Sequence, residues 1–572
     1  MEHVRRFAVG GVTILATMDD QTEAVTSLPK RSRFFVLVLL GFCVVSFMFF
    51  YTGSEKPTVR GIDQLKKAWH MGEYGPRAGG GDDEKPSSPS NITSARTSTY
   101  RFDTSSGLLV AKGSTLRLVI EARDLTGEKT TKGGDMWYAT MNSLRPKAST
   151  AGHVVDNGDG TYDVSFHAGW EGVARVDVIL AHPSEAVAFA EGVVWPTEGR
   201  TVWVGTYAED GGRTRGRTHA ETCVLRRTQA DWAGMCEYWY PRQVGYASLL
   251  CGKPPDGDVW TCDDLVSMKS LAARNSLAVA ELIEGKEYMF ARENVLQMVE
   301  NGPKHIQIQD VGNYQSPDLP PCNASTPSPG EEGRGYWLMD QWHSLHCRVW
   351  QWGEGATSGR DPTSCLRNRA VYFLGGTAAR QWFEALHDSI GRRFFLRNDD
   401  ARYRFERRHP PPLNASVLYQ ATPLLAASAA AVPLAEVRFE VDVLDEIDGP
   451  AGCRCAVLLS PWAHARWDRD SFLERLGRIR ASVLRLRARC PEARVVVAGP
   501  HPVPHGTSQS PTYPDNVLLR AIRDAIGETF RDTGAPFLDM WDMSLSYPSP
   551  NRLSLPDEVV RQGVNRFLTY VC

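Results

Sequence analysis

Alternation of apolar and polar positions divides the chain before any motif is considered. In "STLRLVIEAR", Leu116, Leu118, Ile120 and Ala122 fall on one side, and Arg117, Glu121 and Arg123 on the other. That period of two predicts a half-buried strand. "DNGDGTYDVSF", Asp156 to Phe166, reads as a tight turn followed by a second alternating strand. Asn-Gly and Asp-Gly accept the positive φ angles that hairpin turns need. The turn lacks the alternate carboxylates and closing glutamate of a calcium-binding EF-hand loop. "GVARVDVIL" adds a third strand. Residues 96–205 are therefore expected to form a small β-sandwich.

The pattern changes near residue 341, where short apolar runs alternate with helical periodicity. Strands are predicted at 371–374, at Cys455 to Leu459, in "RVVVAG" and in "PFLDMW". Helices are predicted from Ala378, from Ser471, over 516–531 and over 557–571. The helix from Ser471 carries Phe472, Leu476, Ile479, Val483 and Leu486 on one face, with Ser471 and Glu474 placed as a capping box. In the last helix, Val560, Val564, Phe567 and Val571 share a face. Alternating strands and helices imply a mostly parallel sheet covered by helices over 341–572. Residues 206–340 read as irregular, a cysteine-rich connector.

One run has no polar break. Phe34 to Tyr51, "FFVLVLLGFCVVSFMFFY", carries no charge and follows Lys30, Arg31 and Arg33. A membrane span takes about 17–25 apolar residues, and flanking basic residues favour the cytosolic side. The run is longer than a cleaved signal core and lacks a small-residue cleavage pattern after it. The expectation is a cytosolic tail at 1–33, a transmembrane signal anchor at 34–51 and the bulk of the chain in a lumen or outside. Residues 52–95, with "AGGGDDEKPSSPS", have the composition of a stem that buries no core.

The cysteines fit that compartment. There are twelve. Beyond Cys43 they stand at Cys223, Cys236, Cys251, Cys262, Cys322, Cys347, Cys365, Cys453, Cys455, Cys490 and Cys572. In an oxidising lumen they are disulfide candidates, and their odd number leaves at least one thiol over or shared between chains. Connectivity does not follow from spacing. Asn91, Asn323 and Asn414 open N-x-Ser/Thr sequons. Net charge is −3, with no phosphate loop, zinc motif or nucleic-acid module. No metal or cofactor is implied, and nucleic acid is not an expected partner.

In sheets of this kind, sites gather at the carboxyl ends of the strands. There stands "VYFLGGTAARQWFE", where Gly375, Gly376 and Thr377 form a strand-to-helix turn. This block resembles the Gly-Asp-Ser turn of SGNH and PC-esterase hydrolases. It is closer still to the NXPE family, the neurexophilin and PC-esterase domain proteins, through Arg380-Gln381-Trp382. "GYWLMDQWHSLHC", "LDMWDMS" and the ending "VNRFLTYVC" agree, and "VVDNGDGTYDVSF" resembles the family's filamin-like or neurexophilin-like β domain. The resemblance covers about 96–572. It implies a multidomain fold class: an N-terminal transmembrane helix, a filamin- or immunoglobulin-like β-sandwich, then an α/β three-layer SGNH-hydrolase-like domain. It also implies acyl-esterase or O-acyltransferase chemistry on glycans.

That chemistry needs a nucleophilic hydroxyl, a base and an acid to orient the base. The sequence departs from the family at each point. Thr377 takes the serine position and Gly376 the aspartate position. Ser554 stands about where the family has its histidine, and no histidine follows His505. The oxyanion block reads "LLSPWAHARW". His387, His464, His501 and His505 are the histidines left to substitute, and Asp539 and Asp542 the acids. The arginine-rich run Arg392 to Arg408 suits carboxylate or sulfate, or a solvated face paired with Asp399, Asp400 and Glu406. The expectation is an NXPE-type type II membrane glycoprotein of the Golgi, secretory pathway or cell surface, binding a glycan or an extracellular protein with a degenerate esterase-like domain. The alternatives are a divergent O-acyltransferase acting on glycans and a shed neurexophilin-like ligand.

Overall fold

The structure is a computed structural model. It describes residues 6–9, 12–15 and most of 89–572. Outside the description lie 104–108, 210–216, 228–231, 255–259, 271–280, 323–332, 353–359, 391–403, 422–431, 434–437, 504–514, 549–553 and a few isolated positions. The chain divides into two units, Met1–Arg77 and Ala78–Cys572. In the first, the strands Arg6–Val9 and Val12–Leu15 form an antiparallel pair. The run 34–51 lies outside the described residues.

In the second unit, the alternation read in "STLRLVIEAR" is a strand over Thr115–Glu121, with Leu116, Leu118 and Ile120 buried. It sits in a four-stranded sheet with Thr99–Phe102, Thr161–His167 and His153–Asp156. The Asn-Gly and Asp-Gly turn joins the last two as expected, with Gly158 and Gly160 at positive φ. A larger sheet contains Met136–Leu144, Lys147–Ala151, Gly172–His182 and His305–Gln309. Tyr162, Val164 and Phe166 of the first sheet share a core with Trp137, Met141, Val176 and Val178 of the second. Gly335–Leu338 and Gln341–Ser344 extend the larger sheet, far along the chain from the strands they join.

The stretch read as irregular builds a sheet of its own. Val202–Ala208, Thr218–Arg226, Met235–Trp239, Ser248–Gly252 and Leu265–Ser270 pair antiparallel, and Val432–Pro433 adds an edge. Cys223 and Cys251 are partners in register and form a disulfide, and Cys236 bonds Cys262.

The sheet that positions the candidate site is mostly parallel. Its strands are β1 (Ala370–Gly375), β2 (Arg404–His409), β3 (Ala415–Ala421), β4 (Cys455–Ser460), β5 (Arg494–Ala498) and β6 (Phe537–Leu538), in the order β2-β3-β1-β4-β5-β6. Only the edge strand β2 runs antiparallel to its neighbour. Val371, Phe373, Leu458 and Val496 pack on Trp382 and Phe383 of α1 (Thr377–Ser389) and on Val564 and Phe567 of a C-terminal helix, Asp557–Val571. Leu374, Val457 and Val497 share the other core with Leu444 of a helix over Glu440–Glu446 and Ile479 of a helix over Arg469–Arg489. The helix 469–489 buries its five expected apolar residues. Its cap is Asp468, whose side chain accepts from Ser471 N, and not the expected Ser471 box. An aspartate just outside the first turn satisfies an orphan N–H that an internal serine cannot reach.

The expected fold class needs correction. Among the described residues, no helix is long and apolar enough to cross a membrane. The described chain is rich in β-sheet, with three further sheets beside the mostly parallel one in 89–572. The transmembrane helix of that fold class is not among the described residues, and a sandwich followed by one three-layer α/β domain leaves out the separate sheet built by 202–270. The physical reason is strand recruitment. Segments whose local pattern signalled no strand, such as 335–344 and the cysteine-rich stretch, gain ladder bonds and burial by pairing with distant strands.

Candidate functional site

Strand β1 ends at Gly375, between Ala421 of β3 and Ser460 of β4. Gly375 has φ of 155°, and a Cβ there would come within 2.7 Å of Ser460 Cβ and 2.8 Å of its carbonyl oxygen. A side chain at 375 would push β1 and β4 apart at the site. Gly376 caps α1 without a side chain, and Tyr419 donates its hydroxyl to the Gly376 carbonyl at 3.4 Å. Thr377 is the first helical residue and is exposed.

Beside this turn lies a small pocket, with an empty volume of about 250 Å³ that includes its open mouth. Ala378, Ala379 and Trp382 of α1 form one wall; Leu458, Trp462, Ala498, Met540 and Leu555 form much of the rest. Its polar side chains are Ser460, Trp462 and His501, and Ser460 and His501 are buried. The His501 ring stands edge-on to Trp462 at 5.3 Å. Its Nδ1 lies 3.1 Å from the Pro502 carbonyl, which only accepts, so Nδ1 carries the proton. Burial pushes His501 below the ordinary histidine range. The ring is then neutral, and Nε2 is the nitrogen with a lone pair.

The sequence candidates separate here. Thr377 stands at the turn beside the pocket, and Ser554 is exposed in a bend next to the lining residue Leu555. Gln381 donates to the Leu555 carbonyl at 3.0 Å, so the middle residue of Arg-Gln-Trp anchors the segment after Ser554 while Trp382 lines the pocket. His387 packs between Phe383 and His409, with ring centroids at 4.6 and 5.2 Å, and does not line the pocket. Burial, then the charges of His409 and Arg407, push it down to about 3. His505 and Asn323 lie outside the described residues, and of His464 only the backbone is described. Asn91 and Asn414 are exposed.

Asp539 is a clamp. It accepts from Arg523 Nε at 2.9 Å and from Trp541 N at 3.0 Å, and Arg566 donates to its carbonyl at 2.7 Å. In the arginine run, Arg404 and Arg408 pair with Glu406, and Arg392 to Arg402 fall outside the description. Ten cysteines form five disulfides: besides the two above, Cys322–Cys347, Cys365–Cys572 and Cys453–Cys490. Among the described residues Cys455 stays a buried thiol. Ser460 and Trp462 had been legible only as an altered oxyanion block. Their place directly after an apolar strand was the signal that they line a pocket.

Two family models match. The model described as "NXPE family member 4-like, C-terminal domain" matches 342–572, and "Neurexophilin" matches 106–201. The chain belongs to the NXPE family. The C-terminal match takes in the whole mostly parallel sheet and the pocket; the neurexophilin match lies in the two face-to-face sheets. Among solved structures, an extracellular lipase from Streptomyces rimosus matches at 15% identity, over 33% of this chain and 90% of that one, with a TM-score of 0.16. A likeness at that score says nothing about the chemistry of this chain.

Asp542 of this NXPE chain is a second acid with altered chemistry. Burial, with the neighbouring Asp539 charge, pushes it up to about 7 against the pull of Arg523 and Arg334. An unfolded aspartate titrates near about 3.9. The folded state therefore holds the extra proton. This contribution to stability is complete below about pH 4 and is lost as pH rises through about 7. Asp542→Asn is expected to remove the loss. Its melting temperature, compared with the parent protein, should rise more at pH 8 than at pH 5. An equal difference at the two pH values would contradict this.

Proposed function

We propose that this chain is an NXPE-type glycoprotein of the secretory pathway or cell surface whose C-terminal region binds a glycan or protein ligand without Thr377-dependent turnover. The observation that carries the reading is the make-up of the strand-end site. Ser554, where the family resemblance calls for a histidine, is exposed in a bend, and the histidine of the pocket, His501, sits buried among apolar walls. Thr377 does not line the recess that holds His501, and a neutral threonine hydroxyl without a base in reach is a poor nucleophile. The buried polar groups Ser460 and His501 converge at an otherwise apolar strand-end recess, the kind of groups that orient a ligand held at its mouth.

Five disulfides support an oxidising compartment. Exposed Asn91 and Asn414 support glycosylation. Glycosidase treatment of the expressed protein should increase its gel mobility, and removing all three sequons, at Asn91, Asn323 and Asn414, should abolish that shift. Unchanged mobility would count against the compartment.

Ligand binding is tested by a glycan array and by extracellular protein display. Ala498→Leu, which fills the pocket, should remove the signal of protein ligands and neutral glycans, and Thr377→Ala should leave it unchanged. The opposite pattern would overturn the binding reading. One observation favours a second reading, a divergent acyl transfer. The pocket holds both a buried serine hydroxyl and a histidine with a basic Nε2. Labelling by a serine-hydrolase probe, lost in Ser460→Ala, would support that alternative.

A further inference from the structure

The segment Arg348–Trp352 is held rigidly. Trp350 N donates to Thr569 Oγ1 at 3.0 Å, and Trp352 N to Asn565 Oδ1 at 3.3 Å, both on the C-terminal helix. Gln351 exchanges hydrogen bonds with Gln562, at 3.2 and 2.9 Å, and accepts from Asn565 at 2.8 Å. Cys322–Cys347 pins the chain just before this segment. Arg360 returns to pair with Trp352 as an isolated bridge.

This frame brings two guanidinium groups onto one indole. The Arg360 guanidinium carbon lies 3.7 Å from the Trp350 ring centre, and that of Arg348 4.6 Å from it. Both arginines are exposed and Trp350 is half-buried. Stacking uses the face of a guanidinium and leaves its in-plane N–H groups to other partners. Arg348 spends one of them on Asp318, 3.2 Å away and 93% exposed. A pair that open to solvent is worth little. Among the described residues no carboxylate forms an ion pair with Arg360. Among the described residues, two like charges are thus held at one exposed place with a single ion-paired carboxylate, on a segment fixed through its backbone and Gln351.

We infer that the Arg348–Trp350–Arg360 stack is a binding site for the sulfate or carboxylate group of an acidic glycan, separate from the strand-end pocket. A carboxylate or sulfate matches the guanidinium fork, and charge-assisted hydrogen bonds of this kind are the strong ones. The part-exposed indole offers an apolar strip beside the donors. A sugar ring uses that strip; a flexible acidic side chain gains little from it. The inference rests on the secretory placement proposed above and is independent of what the pocket does.

The test uses the purified full chain and a heparin-derived octasaccharide, with its desulfated form beside it, by surface plasmon resonance. Arg348→Gln with Arg360→Gln should weaken binding by about tenfold or more without changing the melting temperature. The desulfated sugar should not bind. Arg404→Gln with Arg408→Gln removes two other exposed arginines and should have little effect. Ala498→Leu should leave octasaccharide binding intact. Retained affinity in the Arg348/Arg360 variant would overturn the inference. So would an equal loss in the Arg404/Arg408 variant, or tighter binding of polyglutamate or anionic vesicles than of the octasaccharide. Loss in Ala498→Leu alone would move the acidic-glycan site to the pocket and leave the binding function standing.

Discussion

Replacing Arg475 with methionine is expected to destabilise the fold by about 3–5 kcal/mol, because it breaks a buried ion pair by removing one partner. Arg475 and Glu440 are paired with side chains only 1% and 2% exposed. The guanidinium also donates to the Gln243 carbonyl at 3.2 Å and packs over the Phe439 and Trp467 rings, at 4.9 and 5.5 Å. One side chain therefore ties the helix 469–489 to the helix 440–446 and to the loop before strand Ser248–Gly252. Removing it takes the buried Arg475 guanidinium away from Glu440, whose side chain is 2% exposed. The double change Arg475→Met with Glu440→Leu removes both charges, and most of the loss should be recovered. Denaturant unfolding of the two variants measures this. A single variant within about 1 kcal/mol of the parent would mean that the pair is not buried as described.

The second large effect lies at the C-terminus. Cys365–Cys572 closes a loop with a sequence separation of 207, the longest of the five disulfides. A bridge over so long a loop removes much denatured-state entropy, and its loss typically costs about 2–5 kcal/mol. The paired change Cys365→Ser with Cys572→Ser should lower the melting temperature clearly. It should do so more than Cys322→Ser with Cys347→Ser, which opens a separation of 25. The reverse ranking in thermal unfolding would contradict the loop-length argument for this chain.

Local pattern made much of the fold readable. Leu116, Leu118 and Ile120 alternate because one face of their strand meets a core, and Phe472 to Leu486 recur at helical spacing for the same reason. The strand-to-helix turn at Gly375 was readable because two glycines follow an apolar run. What escaped depends on contacts far apart in the chain. Trp337 and Trp342 belong to strands that extend a sheet begun about two hundred residues earlier, and nothing in "GYWLMDQW" names that partner. The cysteine-rich stretch looked irregular because its strands are separated by turns and cross-linked by disulfides, which take over part of the work of apolar alternation. In the site, the sequence pointed to Thr377 and to the missing histidine at Ser554. It did not say which strand-end histidine turns inward. That is settled by the burial of His501 against Trp462 and by its bond to Pro502, both products of how the loop after β5 folds.

Binding without Thr377-dependent turnover is tested most directly on the unmodified protein. Purified full chain is incubated with an O-acetylated glycan, and separately with an acetyl donor and a glycan acceptor, beside Thr377→Ala at equal concentration. General-base assistance is worth about 10²–10⁴-fold, and a threonine without an aligned base forgoes it. Acetyl release and transfer should equal the buffer rate in both proteins. Turnover well above buffer that Thr377→Ala abolishes, with the variant's melting temperature unchanged, would contradict the binding reading and make Thr377 a working nucleophile.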